Sequence, residues 1–248
     1  MNNKITNTNR KLGLGTWIAS GSPVVTEVIA SMGVDWLLFD LEHNFMQEAD
    51  VFANIQAVHN PDVKIIVRVG EFRPGLIARV LDWGAAGIMM PHISDANEAK
   101  QVVEAMYYAP FGKRGYSSSA RSFDFGKTAP KDMDEWIKPL LLAQIENYEG
   151  VMNVDEIAAV EGVDMLFIGP RDLTLDLSVR KNPEERIDFN VATKKVAAAA
   201  LAAGKQAGIL ASQGQDISNL REMGFSAFAV GSDIAVLSTG YKDIVKNY

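Results

Sequence analysis

Along the chain, apolar residues gather into short runs of strand length that break into polar residues and glycine, and each run is followed by a stretch with helical spacing. LGLGTW (12–17) predicts a first strand, and GSPVVTEVIASMG a helix closed by Gly33. DWLLFDLEH is a buried run ending on Asp40, Glu42 and His43, with helical spacing resuming over 47–58. KIIVRVG is β-branched and carries Arg68 near its end. PGLIARVLDWG has proline near its start and Gly84 past its end, the asymmetry of a helix. GIMMPHIS gives a fourth strand and NEAKQVVEAMYY the helix after it. No period holds from 109 to 138, and PFGKRGYSSSARSFDFG within it predicts a long functional loop. LLLAQIENYEG (140–150) and DMLFIGPRDLT (164–174) are the fifth and sixth strands, with a helix over 154–161 between them. A second irregular patch is expected from Asp172 to about residue 188, before the strongly helical NVATKKVAAAALAAG. KQAGILAS, SNLREMG, SAFAVGSD and DIAVLSTGYKDIVKNY complete the alternation as strand, helix, strand and helix.

Eight such units in 248 residues average about 31 residues each, which predicts a (β/α)8 TIM barrel over a single domain, 1–248. A doubly wound open sheet is the competing arrangement. No internal repeat and no linker divides the chain. In a barrel of this kind the active site lies at the carboxyl ends of the strands, so the polar residues there carry the functional argument.

Composition narrows the partners. The hydrophobic fraction of 48% and charged fraction of 22% are those of an ordinary globular protein, and length alone permits one large domain. With a net charge of -7 and no basic cluster, nucleic acid and anionic membrane surfaces are not expected partners. There is no cysteine, which removes disulfides and thiolate metal sites. The polar N-terminus has no signal-peptide core and no apolar run reaches about 18 residues, so a cytoplasmic protein is expected.

The fifth and sixth runs each place an acid at or just past the break, Glu146 and Asp172, 26 residues apart. On adjacent parallel strands, about 4.8 Å apart, two such carboxylates repel, and a hard divalent cation between them relieves the repulsion. His43 and Arg68, 25 residues apart, also fall on neighbouring strand ends. A base, a cation and a carboxylate-held metal at one rim suit enolate chemistry on a 2-oxo acid, the arginine stabilising the enolate oxygen and the histidine moving a proton, directly or through water.

Each residue also has a plainer reading. Glu146 reads equally as a loop acid, and Asp172 as a helix cap. His43 reads as a structural histidine, Arg68 as an ion-pair partner for Asp40 or Glu42, and Trp17 as core. His92, beside Pro91, reads as a support for the site rather than a ligand, and His59 as surface. It is the joint placement at one rim that favours function. A Schiff-base lysine is the rival route to an enamine, but Lys64 and Lys205 stand at strand starts, the wrong end of a barrel. ILASQGQD and AVGSD are weak matches to a phosphate site, and no serine has a histidine and acid patterned around it.

FDLEH, VRV, LDWGAAGIMMPHI, the PFGKRGYS loop, QIE, FIGPRDL, AGIL and AVGSD occur in an order that resembles the HpcH/HpaI aldolases, metal-dependent class II aldolases acting on pyruvate, over nearly the whole chain. The resemblance implies a (β/α)8 barrel and a homo-hexamer, a trimer of dimers, that swaps its terminal helix between subunits. It implies that Glu146 and Asp172 hold a divalent ion (Mg, Mn or Co), that His43 is the base, and that Arg68 stabilises the enolate. Gln144 matches a glutamine near metal and substrate, and Trp17 a residue lining the pocket. Gly169 and Pro170 match the start of the turn whose backbone, the resemblance implies, receives the pyruvate carboxylate. Asp82 resembles an acid presented to a neighbouring subunit's histidine, and Ser212, at the end of the seventh strand, is a further substrate-binding candidate. The chain departs from many relatives at Arg171, where a small or neutral residue is usual. An arginine there narrows the pocket, binds an acidic acceptor, or points to solvent.

The expected activity is therefore reversible cleavage of a 4-hydroxy-2-oxo acid into pyruvate and an aldehyde. In this reading Arg68→Ala or His43→Ala loses at least ~10²-fold in rate while the fold survives, and residues 109–138 and 171–188 shape the acceptor pocket. The alternatives are a non-aldolase carbon–carbon lyase or synthase, citrate-synthase-like or thioester-using, and a barrel that binds without catalysis.

Overall fold

The computed structural model describes residues 10–132, 135–212 and 214–248, so the first nine residues, read above as lacking a signal segment, lie outside it. Eight parallel strands, β1 (Leu14–Ile18), β2 (Trp36–Asp40), β3 (Lys64–Arg68), β4 (Gly87–Met90), β5 (Leu140–Ile145), β6 (Met165–Ile168), β7 (Gln206–Ala211) and β8 (Phe225–Ser232), pair in chain order and β8 closes on β1. The helices α1 (Pro23–Ala30), α2 (Glu48–Ala57), α3 (Pro74–Trp83) and α4 (Ala96–Met106) follow the first four strands. Two short helices, α5 (Tyr148–Met152) and α6 (Val154–Ala159), follow β5, and α7 (Pro170–Val179) and α8 (Phe189–Ala202) follow β6. The chain ends through α9 (Ser218–Glu222) and α10 (Asp233–Lys246). This is the expected barrel, and the open sheet is excluded by its closure. Among the described residues no helix is long and apolar enough to cross a membrane.

Alternation along the strands creates two apolar layers. Trp36, Leu38, Ile66, Leu142 and Phe167 fill the barrel interior, while Leu37, Phe39, Ile65, Leu141 and Leu166 pack outward beneath the helices. Room for the Trp36 indole comes from Gly15, where a Cβ would lie 2.3 Å from the ring, and Trp36 Nε1 donates to the Gly13 carbonyl at 3.1 Å. The inward parity continues past the apolar layers. Asp40 stands two residues after Leu38, Arg68 two after Ile66, Gln144 two after Leu142, and Gly169 two after Phe167. The rule that packs the core therefore also aims the polar residues into the barrel mouth.

Two expectations need correction. The patch from Asp172 to residue 188 is not wholly irregular: Pro170 occupies the first turn of α7, and Leu173 and Leu177, one turn apart, bury against the barrel. The alternation LTLDL hid this period. The segment 109–138 joins α4 to β5, which puts it at the amino ends of the strands, opposite the rim of its own barrel. Residues 133 and 134 of it lie outside the described residues. It is packed rather than loose, with the Tyr108 and Trp136 ring centroids 4.6 Å apart.

Candidate active site

The rim gathers around Arg68. Its Nε and Nη2 donate to the two oxygens of Asp40 at 2.7 and 2.6 Å, and its Nη1 lies 2.9 Å from Glu42 Oε2. Asp40 is fully buried and Asn44 Nδ2 also donates to it. Burial works against the charge of Arg68, but the hydrogen bond and charge of Asp40, with Glu42 and Glu146 behind them, raise its pKa above the ordinary guanidinium value. The Trp17 ring lies below, its centroid 5.5 Å from the guanidinium carbon and 5.9 Å from the Phe167 ring. Trp17 is thus both the top of the core and the floor of the site. His43 sits just past β2, its side chain 60% exposed and its Nε2 3.7 Å from Glu42 Oε2.

Across the mouth, Gln144 Nε2 donates to Glu146 Oε1 at 2.5 Å, and the His92 backbone N–H donates to Glu146 Oε2 at 3.2 Å. The side chain of Glu146 is only 1% exposed. Burial is the main reason its pKa climbs to about 8; the His92 hydrogen bond lowers it, the charges of Asp172 and Glu42 raise it further, and Arg68 lowers it. A buried carboxyl beside two other acids favours the proton until a cation replaces it. Asp172 stands in the first turn of α7, whose N-cap is Gly169, and a Cβ on Gly169 would fall 2.0 Å from Glu146 Oε1. Glycine leaves that side of the carboxylate clear.

These residues fit a hard divalent cation. Gln144 Oε1 is buried without a hydrogen-bond partner beside Glu146, although among the described residues no three His, Asp or Glu side chains cluster closely enough to hold an ion by themselves. The donor set offered by Glu146 and Asp172 is all oxygen and is an open site rather than a closed cage.

Pro170 opens α7, and Arg171 is exposed on its first turn. Ser212 follows β7 at the same end, exposed, its N–H donating to Gln215 Oε1 at 2.9 Å. Asp82 is not brought to this rim. It lies on α3 and accepts from Arg114 Nη2 at 2.5 Å, beside a cavity of about 510 Å³ walled by Ala86, Tyr108, Trp136 and Pro139 at the amino ends of β4 and β5. That cavity is distant from the acids of the rim. Lys64 opens β3, and Lys205 donates to the Val160 carbonyl at 2.5 Å just before β7, so neither lysine reaches the site. Glu42, read from the sequence as a possible ion-pair partner of Arg68, does pair with it, and His92, read as a support for the site, lies against Glu42 and Glu146. The parity of Glu42 with Asp40 was a usable signal, whereas His92 depends on a turn that its sequence does not announce.

The HpcH/HpaI aldolase/citrate lyase family model matches residues 13–239. A 5-keto-4-deoxy-D-glucarate aldolase of Shigella boydii is 34% identical over 239 residues, covering 96% of this chain and 93% of that protein. Among solved structures, an HpcH/HpaI aldolase/citrate lyase family protein from Burkholderia cenocepacia superposes with a TM-score of 0.81 at 30% identity, covering 96% of this chain and 94% of that one. The citrate synthase SbnG superposes with a TM-score of 0.80 at 28% identity, covering 97% and 94%. Barrel, rim and kinship agree: this chain belongs to the HpcH/HpaI aldolase/citrate lyase family.

Proposed function

We propose that the protein is a divalent-metal-dependent aldolase of the cytoplasm that reversibly cleaves a 4-hydroxy-2-oxo acid into pyruvate and an aldehyde. The observation that carries this reading is the buried Glu146, cleared by Gly169, neighboured by Asp172 and facing Arg68 across one barrel mouth. Glu146 and Asp172 would hold the ion, which when bound supplies Lewis-acid polarisation of the 2-oxo group. Arg68 is locked by Asp40 and Glu42 and keeps further N–H groups for the oxygen that becomes the enolate. Its rigidity lets it stabilise that charge without reorganising. His43, exposed beside Glu42, accepts the proton of the 4-hydroxyl as the C3–C4 bond breaks. The bonding pair becomes the C2–C3 double bond of the enolate, and C3 is then protonated to give pyruvate. The free N–H groups at the start of α7, after Pro170, suit the substrate carboxylate, and Trp17 and Gln144 close the floor and side. Arg171 at the rim suits an acidic acceptor. Asp82 acts in this reading only if a neighbouring subunit receives it, which goes with a homo-hexamer.

Deuterium exchange into the pyruvate methyl group, followed by NMR with Mg²⁺ or Mn²⁺ and again after EDTA, tests enolisation without knowledge of the aldehyde. Metal-dependent exchange is expected. Its absence in folded, metal-loaded protein would move the synthase reading, favoured by the likeness to SbnG, to first place. Product analysis with oxaloacetate and an acetyl thioester would then decide it.

A further inference from the structure

His92 stands just past β4 with a left-handed backbone, φ 53°, which non-glycine residues seldom adopt. The turn is fastened from several sides. The Ile93 N–H donates to the Gln144 carbonyl at 3.1 Å, Ser94 Oγ donates to the His92 carbonyl at 3.1 Å, and Asn147 Nδ2 donates to Ser94 Oγ at 2.8 Å. This conformation puts the imidazole between two acids: Nδ1 lies 3.5 Å from Glu146 Oε2, and Nε2 lies 3.4 Å from Glu42 Oε1. Those carboxylates are 1% and 8% exposed, whereas the ring is 53% exposed. The ring therefore contributes little to packing; the left-handed turn aims the His92 N–H at Glu146 and also sets the imidazole between the two acids.

We propose that His92 is a positioning residue of the aldol site, holding Glu42 and Glu146 on opposite nitrogens of one ring. It ties the proton-handling side of the rim, where Glu42 touches Arg68 and His43, to the carboxylate side built on Glu146 and Asp172. The inference rests on the aldolase reading and deepens it by naming what keeps its two halves in register.

His92→Gly separates this role from a structural one. Glycine relieves the left-handed backbone and keeps the N–H bond to Glu146, so the melting temperature is expected to be unchanged or higher. The full-length Mn²⁺-loaded variant is expected to exchange pyruvate methyl protons at least ~10-fold more slowly, and to recover in part with added imidazole. His92→Asn, which tolerates the same backbone and keeps one polar end, is expected to fall between the two. Exchange within about twofold of wild type in His92→Gly would overturn the proposal, as would a loss that imidazole does not restore. If the wild-type protein itself does not exchange, the aldolase reading is what fails, and Mn²⁺ affinity by calorimetry decides the role of His92. Binding weakened at least ~10-fold in His92→Gly sustains positioning of Glu146, and unchanged binding ends it.

Discussion

A Cβ added to Gly169 would stand 2.0 Å from Oε1 of Glu146. The glycine has φ -90°, an ordinary value for any residue, so alanine meets no backbone penalty there. The clash is with the carboxylate and, at 2.9 Å, with Gln144 Nε2. Gly169→Ala is therefore expected to push Glu146 aside and lower the exchange rate by ~10²-fold or more, with an overpacking cost of about 1–3 kcal/mol. Kinetics and urea melts on the same protein check both numbers. Full activity in a folded Gly169→Ala protein would mean that Glu146 is not held where the chemistry needs it.

The raised pKa of Glu146, about 8, has a definite sign in stability. Between the ordinary carboxylate value of 4.5 and about 8, the folded metal-free protein holds a proton that the unfolded chain releases. Its contribution to stability is thus full in acid and is lost as pH rises through that window. A divalent ion must displace the same proton, so its affinity rises with pH over the same range, with about one proton released per ion near neutrality. Melting temperatures of EDTA-treated protein should fall from about pH 5 to about pH 8, and the slope should flatten in Glu146→Gln. Calorimetry in two buffers of different ionisation enthalpy counts the proton. A slope unchanged in Glu146→Gln would assign it to another group.

Arg68 and His43 separate in a way that strand-end placement alone does not reveal. His43 is 60% exposed, so His43→Ala is expected to change stability by no more than about 0.5 kcal/mol while losing at least ~10²-fold in rate. Arg68→Ala leaves the fully buried Asp40 without its bidentate partner and is expected to destabilise by about 3–5 kcal/mol in addition to its catalytic loss. Asp40→Asn combined with Arg68→Met should restore much of the stability and none of the activity. Equal melting temperatures for the two single variants would contradict the Asp40–Arg68 pairing.

The barrel was legible because its strands are buried runs of fixed parity and its helices carry their own start and stop residues, as Pro74 and Gly84 do for α3. Reading the ends of those runs put Trp17, Arg68, Gln144 and Glu146 at one end of the barrel, and Arg68 and Gln144 each sit one pleat and Glu146 two pleats beyond an interior residue, Ile66 or Leu142. Sequence pattern failed where tertiary contacts decide. Leu173 and Leu177 were masked by the leucine between them. His92 reaches Glu42 and Glu146 only through a left-handed turn fastened by Ser94 and Asn147. The segment 109–138 was read as a long loop without a clean period, and its described residues hold no strand and no long helix, but only its place between α4 and β5 tells which end of the barrel it serves. Asp82 faces Arg114 within its own chain, so a role for it at a rim depends on assembly.

Asp233 fastens the start of α10 to the end of β1, accepting from the N–H groups of Ala19 at 2.8 Å and Ser20 at 3.0 Å. From Ile234 onward every residue is exposed, including Leu237, Tyr241, Ile244 and Val245. An amphipathic helix with its apolar side in water has too little to hold it against its own barrel, and α1 exposes Val24 and Val28 in turn. Exchange of α10 between subunits, as the hexamer proposed above requires, would cover such faces. Truncation after Ile234 keeps the Asp233 anchor and is expected to shift the mass seen by light scattering from a hexamer to smaller species. If Asp82 serves a neighbour's site, the truncated protein should also lose exchange activity and regain none on concentration. An unchanged mass would assign the exposed face of α10 to some other contact, and a wild-type monomer with full activity would remove Asp82 from the chemistry altogether.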